Sequence, residues 1–507
     1  MTVRSAILDL GSNSFHVLVA DVDGRDVVPV LREREMLHLG RAVALHGRIP
    51  DERREAARAV VAHLADRARR AGAAEVTAVA TAAIRDAEDG AQVLAELSTA
   101  AGSEVEVLDG LEEARLAYLG VRAAIAVTRE PVLVLDLGGG SLELAVGIGD
   151  QVQWATSLPL GVSRLSASVP TDPPKRREIR ALRDHVDAAL DPVLDRVAGL
   201  GPRGSIAVGG TVRALARVVA ATEGRWLPAT VNHLDVPTSA LQRLRDRLVS
   251  IDTVTRGRIP GMKSRRADHL HVAAVILTRA LERLGLAEVT VSDWGLREGL
   301  LLDRHAVSSA PSPLELRATQ VTGLRRRFVP DDAHPVHVAH LAGLLFDGTA
   351  ALHGLGDEDR ALLQHAAALH TVGEALALRR QQVHGAYLVE NAELRGFTPT
   401  EMAMLVTLVR YHASRGISSD HPAFAGLSTT DKARTERLLA LLQVADALDR
   451  GRDQAVTGVG VAADEDTLVL TAHGGGLAIT PDELERKTRL CSRVFDVDVQ
   501  VVDGAAT

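Results

Sequence analysis

The segment Asp9-Leu10-Gly11-Ser12-Asn13-Ser14 returns later in the chain as Asp136-Leu137-Gly138-Gly139-Gly140-Ser141. Each copy lies between two short apolar runs, which predicts a strand, a tight glycine turn and a second strand. Glycine lets the backbone turn sharply, so backbone N–H groups and serine hydroxyls can converge on an anion. The repeat therefore predicts a two-sided phosphate clamp built from Gly11, Ser12, Asn13, Ser14, Gly138, Gly139, Gly140 and Ser141.

Each copy also begins with an aspartate at the end of its first strand, Asp9 in one and Asp136 in the other. Two carboxylates beside a phosphate clamp are suited to hold a divalent cation. Two unrelated β-turns would explain the glycines alone, but they would not explain why the flanking apolar runs match as well. We therefore interpret the two segments as a duplication.

The composition sets the broad class of protein. The 507 residues exceed the size of one hydrophobic core, which predicts two to four domains. The single cysteine, Cys491, excludes an internal disulfide, and the sequence shows no signal peptide and no membrane-spanning apolar run, so we expect a cytoplasmic protein that does not enter a membrane. The net charge of −8 argues against a nucleic-acid partner and requires any polyanion site to be a local basic patch.

The chain after each glycine turn repeats one order of predicted elements, βββαβα, which indicates two α/β lobes, at residues 1–126 and 127–305. A Ser/Pro-rich stretch from Ala306 to Pro313 reads as a linker. Residues 315–450 show helical periodicity without strands, and 451–507 alternate strand and helix patterns, which predicts a small α/β tail domain.

Duplicated glycine hairpins of this kind are typical of the actin-like ATPase fold. The chain resembles, in narrower detail, the exopolyphosphatase/guanosine pentaphosphate phosphatase (Ppx/GppA) family from its start to about residue 305, and the longer members with a helical HD-like region beyond 315. The motifs that carry the resemblance are Asp9–His16, Glu112–Arg115, Asp136–Glu143, Gly209–Thr211 and Leu296–Gly299. The resemblance implies two actin-like (RNase H-like) lobes and the hydrolysis of a phosphoanhydride.

Glu112 and Glu113 open a predicted helix directly after a strand. Taken alone, such carboxylates complement the helix dipole. The resemblance implies that Glu113 is the catalytic base, a role that suits a carboxylate which orients and deprotonates an attacking water. Arg85 follows a buried strand and is a candidate to bind the terminal phosphate, with a surface salt bridge as the alternative.

Asp136 and Glu143 are seven residues apart on opposite arms of the second hairpin, so both can point toward a phosphate in the turn. Together with Asp9 they are candidate ligands of Mg²⁺ (or Mn²⁺), which binds a few carboxylates plus water and phosphate oxygens. A third anion-binding turn is predicted directly before a helix, at Gly209, Gly210 and Thr211. Arg258, Arg265 and Arg266 form a basic cluster that predicts a polyphosphate track, although most such clusters are solvated surface.

The helical region lacks part of the metal-binding pattern of HD phosphohydrolases, which use a His, a His-Asp pair and a later Asp. Thr371 follows His370, and Gln381-Gln382 stand where longer family members carry paired histidines; His384, His412 and Asp446 remain. We expect this region to bind no dinuclear metal, to be non-catalytic, and to extend a polyanion channel or form a dimer contact.

The sequence thus predicts an exopolyphosphatase that releases phosphate from the end of inorganic polyphosphate and acts as a homodimer. A guanosine pentaphosphate (pppGpp) 5′-phosphohydrolase is the close alternative, because both substrates present a terminal phosphoanhydride. An actin-like kinase and a non-catalytic regulator that binds polyphosphate or (p)ppGpp are more distant alternatives. The kinase is disfavoured because Glu112–Arg115 has no role in phosphoryl transfer to a sugar. The non-catalytic regulator is disfavoured because the hairpin acids and Glu113 are present.

Overall fold

The computed structural model describes residues 2–23, 26–125, 130–306, 312–329, 331, 333–414, 416–464 and 466–504. The predicted boundary between the lobes, at 126–127, and most of the predicted linker between 306 and 314 lie outside the described residues. The chain forms two compact units, one of Met1–Glu223 with Val231–Pro313 and one of Gly224–Thr230 with Leu314–Thr507. Among the described residues, no helix is both long and apolar enough to cross a membrane.

The first unit opens with a five-stranded sheet in the order β3-β2-β1-β4-β5. Its strands are β1 (Val3–Leu10), β2 (Ser14–Asp23), β3 (Asp26–Met36), β4 (Glu75–Ala80) and β5 (Val105–Val107). The helices are α1 (Leu39–His46), α2 (Asp51–Arg70), α3 (Ala82–Arg85), α4 (Gly90–Ala101) and α5 (Gly110–Ala124). Strand β1 pairs antiparallel with β2 and parallel with β4, so the first glycine turn lies at the carboxyl end of a central strand.

A six-stranded sheet follows in the order β10-β11-β9-β6-β7-β8. Its strands are β6 (Val132–Leu137), β7 (Leu142–Ile148), β8 (Gln151–Leu158), β9 (Gly204–Val208), β10 (Leu234–Pro237) and β11 (Glu288–Val291). The helices are α6 (Val162–Leu165), α7 (Arg176–Leu200), α8 (Gly210–Thr222), α9 (Thr238–Ser250), α10 (Thr253–Arg256), α11 (Leu270–Arg283) and α12 (Leu296–Arg304), with 3-10 helices at Ser166–Ser168 and Ser264–Arg266. Strand β6 repeats the pairing of β1, antiparallel with β7 and parallel with β9.

Helices α5 and α12 lie between the two sheets, in one hydrophobic core with residues from β1, β2, β6 and β7. Their backbones touch where they cross: a Cβ at Gly299 would lie 1.8 Å from the Leu116 carbonyl oxygen, and one at Gly120 would lie 2.0 Å from the Gly295 carbonyl oxygen. No other residue fits at these two positions, because a Cβ never approaches a backbone atom so closely. The crossing fixes both helices against the glycine hairpins.

The second unit is mainly helical. Its helices are α13 (Pro313–Phe328), α14 (Ala333–Gly348), α15 (Ala350–His353), α16 (Asp357–Leu369), α17 (Gln381–Asn391), α18 (Pro399–Tyr411), α19 (Pro422–Ala425), α20 (Thr429–Leu448) and α21 (Pro481–Phe495), with a 3-10 helix at Val372–Ala375. A three-stranded sheet completes it, made of β12 (Val456–Ala463), β13 (Thr467–Gly474) and β14 (Asp498–Asp503). Buried residues of this sheet and of α21 share one hydrophobic core with the helices, so residues 451–507 pack as part of this unit.

Candidate active site

The two glycine turns face each other across one cavity. A Cβ at Gly139 would lie 3.1 Å from the backbone nitrogen of Asn13, and one at Gly140 would lie 2.5 Å from the Ser12 Oγ. Glycine is therefore required where the second turn approaches the first. The cavity is open on one side, has a volume of about 180 Å³ and is lined by residues of both sheets.

Most of the residues singled out in the sequence line this cavity. They are Asp9, Gly11, Ser12, Asn13, Ser14, Glu113, Asp136, Gly138, Gly139, Gly140, Ser141, Glu143, Gly209, Gly210, Thr211 and Arg266. Arg85, Arg258 and Arg265 are not among the lining residues. Arg258 lies close enough to Asp252 to lower the pKa of that carboxyl, and Arg265 is exposed. Of the three arginines in the predicted basic cluster, only Arg266 lines the cavity.

One end of the cavity is acidic. Pairing of β1 with β2 places Asp9 opposite His16, and pairing of β6 with β7 places Asp136 opposite Glu143. Burial raises the pKa of Asp9 and of Asp136 to about 6, and the charge of Asp9 adds to the rise at Asp136. Burial, then the charges of Glu113 and Asp136, raises the pKa of Glu143 well above its ordinary value. These carboxylates repel one another, which a bound cation would relieve.

Glu113 lies in the first turn of α5. Asp109 caps this helix, because its side chain accepts a hydrogen bond from the backbone nitrogen of Glu112 at 2.8 Å. The Glu113 carboxylate is buried and forms an ion pair with the Arg85 guanidinium, which also donates to the Leu108 carbonyl oxygen at 2.7 Å. Burial raises the pKa of Glu113 to about 7, against the opposing effect of Arg85. A carboxylate with a pKa near neutrality is suited to general-base catalysis.

Asp9, Asp136 and Glu143 were predicted as cation ligands, and all three line the cavity. Ser157 donates to the Glu143 Oε1 at 2.7 Å, which fixes the orientation of that carboxylate. The three candidate ligands do not bring three ligand oxygens within 4.8 Å of one another. The assignment of a cation to them therefore stays a prediction.

The other end of the cavity is basic, with guanidinium groups from Arg34, Arg213, Arg266 and Arg297. Among the described residues, Arg34 and Arg266 have no carboxylate partner. Burial and the charges of Arg34, Arg213 and Arg265 lower the pKa of Arg266 to about 10. Uncompensated guanidinium groups that repel one another in a cavity favour the binding of a polyanion.

His16 links the basic end to the first glycine turn. Burial and four neighbouring guanidinium groups lower its pKa well below the ordinary value, so the ring is neutral. Arg297 Nη1 can only donate, and therefore the His16 Nδ1, 2.7 Å away, accepts and Nε2 carries the proton. Nε2 then donates to the Ser14 Oγ at 2.8 Å, which leaves the Ser14 hydroxyl proton to donate to a bound anion.

The third glycine turn closes the cavity beside Asp136. Gly209 has a φ of 110°, and a Cβ there would lie 3.1 Å from the Asp136 Oδ1 and 2.8 Å from the Leu137 carbonyl oxygen. A Cβ at Gly210 would lie 2.9 Å from Arg266 Nη2. The turn thus needs glycine at Gly209, and Gly210 leaves room for the Arg266 guanidinium beside it.

The lining residues to which the sequence assigned no role include His16, Arg34, Arg213, Arg297 and Glu298. Two signals were present. His16 occupies in the first repeat the place that Glu143 occupies in the second, and Arg297 and Glu298 stand inside a motif that carried the family resemblance. Glu298 also accepts a hydrogen bond from the Gly295 backbone nitrogen at 3.1 Å, which orders the start of α12. Arg34 and Arg213 carry no comparable sequence signal.

The second unit buries the residues that remain of the HD pattern. His370 ends α16, Thr371 follows it, His412 follows α18, and Asp446 lies in α20. Gln381 and Gln382 begin α17, and His384 is half-buried one turn later. The side chains of His370 and Asp446 come together with His334, which the sequence reading overlooked.

Comparisons with known proteins agree with this geometry. The profile of the Ppx/GppA phosphatase family matches residues 18–306, and that of Ppx/GppA phosphatase domain III matches residues 316–479. Exopolyphosphatase 1 of Mycobacterium tuberculosis is 33% identical over 303 residues, which cover 59% of this chain and 88% of that protein.

Two solved structures are similar to the first part of the chain. The exopolyphosphatase of Cytophaga hutchinsonii has a TM-score of 0.56 and 25% identity, covering 61% of this chain and all of that one. The Aquifex aeolicus Ppx/GppA family member has a TM-score of 0.51 and 27% identity, covering 60% of this chain and 98% of that one. These matches confirm the predicted actin-like fold. The chain belongs to the Ppx/GppA phosphatase family.

Proposed function

We propose that the chain is an exopolyphosphatase, which hydrolyses the terminal phosphoanhydride bond of inorganic polyphosphate and releases orthophosphate. The observation that carries the proposal is the charge of the cavity lining. Buried carboxylates, Glu113 among them, line the same cavity as four guanidinium groups, of which Arg34 and Arg266 have no carboxylate partner among the described residues. Such a lining offers a base and cation ligands beside groups that pair with phosphate oxygens, which suits a polyanion with a reactive end.

In the proposed reaction a water oxygen attacks the terminal phosphorus, the bridging P–O bond breaks, and the shortened chain leaves with its negative charge. Glu113 accepts the proton of the attacking water, and its burial against Arg85 holds the carboxylate in place. General-base catalysis of this kind contributes about 10²–10⁴ in rate. Arg85 acts in this account by positioning Glu113 and not by binding the terminal phosphate.

The remaining groups hold the substrate. Backbone N–H groups of the two facing turns and the Ser14 hydroxyl donate to the terminal phosphate, while Arg266 and Arg297 pair with the phosphates behind it. Asp9, Asp136 and Glu143 would hold Mg²⁺ (or Mn²⁺), which when bound neutralises charge on the phosphate oxygens. The arginines also stabilise the leaving chain, since its charge increases as the bridging bond breaks.

Polyphosphate is favoured over pppGpp by the lining of the cavity. No phenylalanine, tyrosine or tryptophan is among the residues that line it in the described part of the chain. A guanine base would therefore find no large aromatic ring on which to stack, and the His16 imidazole is already hydrogen-bonded to Arg297 and Ser14, whereas phosphates find arginines. The homodimer and the cytoplasmic location stay predictions from the sequence.

The test is phosphate release from long-chain polyphosphate and from pppGpp, measured side by side with the full chain in Mg²⁺. We expect polyphosphate to have the higher kcat/KM. A higher kcat/KM for pppGpp would assign the same site to the nucleotide, and tight polyphosphate binding without turnover would support the non-catalytic regulator. Phosphorylation of a small acceptor by ATP would instead support a kinase.

A further inference from the structure

Three helices of the second unit bring together two histidines and an aspartate. His334 lies at the start of α14, His370 at the end of α16, and Asp446 near the end of α20. All three are buried, and one ligand atom from each lies within 4.8 Å of the other two. The described residues contain no other such trio.

The hydrogen bonds of the two rings determine which nitrogens face the centre of the trio. His334 Nδ1 lies 2.8 Å from the Asp449 Oδ2, and His370 Nδ1 lies 2.5 Å from the Ala367 carbonyl oxygen. Both partners only accept, so each Nδ1 carries a proton and the Nε2 of each ring is the nitrogen that faces the centre of the trio. The two Nε2 atoms lie 3.2 Å apart.

The Asp446 Oδ1 completes a triangle with the two Nε2 atoms. It lies 3.5 Å from the His370 Nε2 and 3.8 Å from the His334 Nε2. Ligands at 2.0–2.1 Å from a tetrahedral Zn²⁺ are about 3.3 Å from one another. The three separations of 3.2, 3.5 and 3.8 Å are therefore close to one face of a zinc tetrahedron.

Hydrogen bonds from neighbouring groups fix the orientation of all three side chains. The Asp446 Oδ2 accepts from Lys487 Nζ at 2.6 Å, which fixes the carboxylate and leaves Oδ1 toward the rings. In histidines that bind metals, the other ring N–H donates a hydrogen bond to a carboxylate or a carbonyl. Here Asp449 accepts such a bond from His334, and the Ala367 carbonyl accepts one from His370. Lys487 does not replace the ion, because it contacts the outer oxygen of Asp446.

The trio lacks a carboxylate that could bridge a second ion. Thr371 stands beside His370, and its buried hydroxyl has no hydrogen-bond partner among the described residues. A neutral threonine cannot bridge two cations as a carboxylate can. The sequence prediction that this region binds no dinuclear metal is compatible with a mononuclear site.

We propose that His334, His370 and Asp446 bind a single Zn²⁺ ion, with a fourth position left for water. Two imidazoles and one carboxylate suit Zn²⁺ better than Mg²⁺, which prefers oxygen ligands. The ion ties α14, α16 and α20 together, so its role is to stabilise the second unit. This site is independent of the proposed phosphatase centre.

The experiment measures zinc in the full chain by mass spectrometry after gel filtration in excess Mg²⁺, which occupies oxygen-rich sites. We expect about one zinc per chain in the parent protein and less than about one-tenth in His334→Gln and His370→Gln. His340→Gln, on the same helix but exposed, is the matched control and should keep its zinc. Asp136→Asn should keep it as well, because Asp136 belongs to the other unit.

Two further readouts keep the test decisive if a variant unfolds. Removing zinc from the parent protein with a chelator should lower its Tm, and adding Zn²⁺ back should restore it. Co²⁺ added to the zinc-free parent should give the strong visible bands of tetrahedral coordination. A parent protein that holds no zinc and gives no such bands would overturn the proposal, and would mean that a shared proton lies between the two rings. Zinc retained by folded His334→Gln and His370→Gln would overturn it too.

Discussion

The two glycine hairpins have the same strand pairing, but the groups around them carry opposite charges. Both pair an aspartate at the end of the first arm with the residue directly opposite, but that residue is His16 in the first hairpin and Glu143 in the second. His16 contacts Arg297 and Ser14 and has guanidinium groups around it, whereas Glu143 accepts from Ser157 and has other carboxylates around it. The comparison teaches that the duplication repeats the geometry of the clamp, and that one residue in each copy gives it a different electrostatic environment. We propose that the His16 side acts mainly in substrate binding and the Glu143 side mainly in catalysis.

The largest expected effect is at the catalytic side. Glu113→Gln should lower kcat by about 10²–10⁴, because glutamine keeps the shape of the side chain but cannot accept a proton from water. Steady-state phosphate release and equilibrium binding of polyphosphate check this together. The variant should still bind the substrate. A kcat near that of the parent protein would show that another group is the base.

The next effect is on the metal dependence of the reaction. Asp136→Asn should raise the Mg²⁺ concentration needed for half-maximal activity by about tenfold or more, because it removes a charged candidate ligand. A Mg²⁺ titration of phosphate release measures the change. Asp268→Asn is the control, since Asp268 is an exposed acid of the same unit that does not line the cavity. An unchanged titration in Asp136→Asn would contradict the cation site.

The basic side should affect binding more than turnover. Arg266→Ala should raise KM for long-chain polyphosphate by about tenfold, because it removes a half-buried charge that we propose pairs with a phosphate. Arg265→Ala is the matched control, as the neighbouring arginine is exposed and outside the cavity, and its KM should change by less than about twofold. Equal losses in the two variants would place the polyanion track on the outer surface.

The smallest effect is a shift in pH dependence. The pKa of Glu113 is raised to about 7, so the base is protonated at lower pH and kcat/KM should rise with pH through about 7 at limiting Mg²⁺. Saturating Mg²⁺ should move the midpoint downward, since a cation near Glu143 and Asp136 stabilises the Glu113 carboxylate. Rate profiles at two Mg²⁺ concentrations test this. A midpoint that rises with Mg²⁺ would contradict the assignment.

The sequence was sufficient to predict the clamp because its signal is local. Asp9 to Ser14 and Asp136 to Ser141 each specify a strand, a turn and a strand within a few residues, and the turns do line one cavity. Glu113 was placed by its position at the start of a helix and by the family resemblance. The lobes followed from the repetition of the same elements.

The basic end could not be predicted in the same way. Arg34 comes from β3, Arg213 from α8 and Arg297 from α12, so only the folded chain brings these side chains together. The density of charge from Arg258 to Arg266 gave no information about which side chains turn inward. His334 was missed for the same reason, because its partners lie on two other helices far along the chain.

The most direct test places the same residue at the equivalent position of each hairpin. His16→Gln and Glu143→Gln are compared by kcat and KM for long-chain polyphosphate at saturating Mg²⁺. We predict that Glu143→Gln lowers kcat with little change in KM, and that His16→Gln raises KM with little change in kcat, because the first hairpin orders Arg297 and Ser14. If both variants changed the same parameter to the same extent, the two hairpins would not divide catalysis from binding.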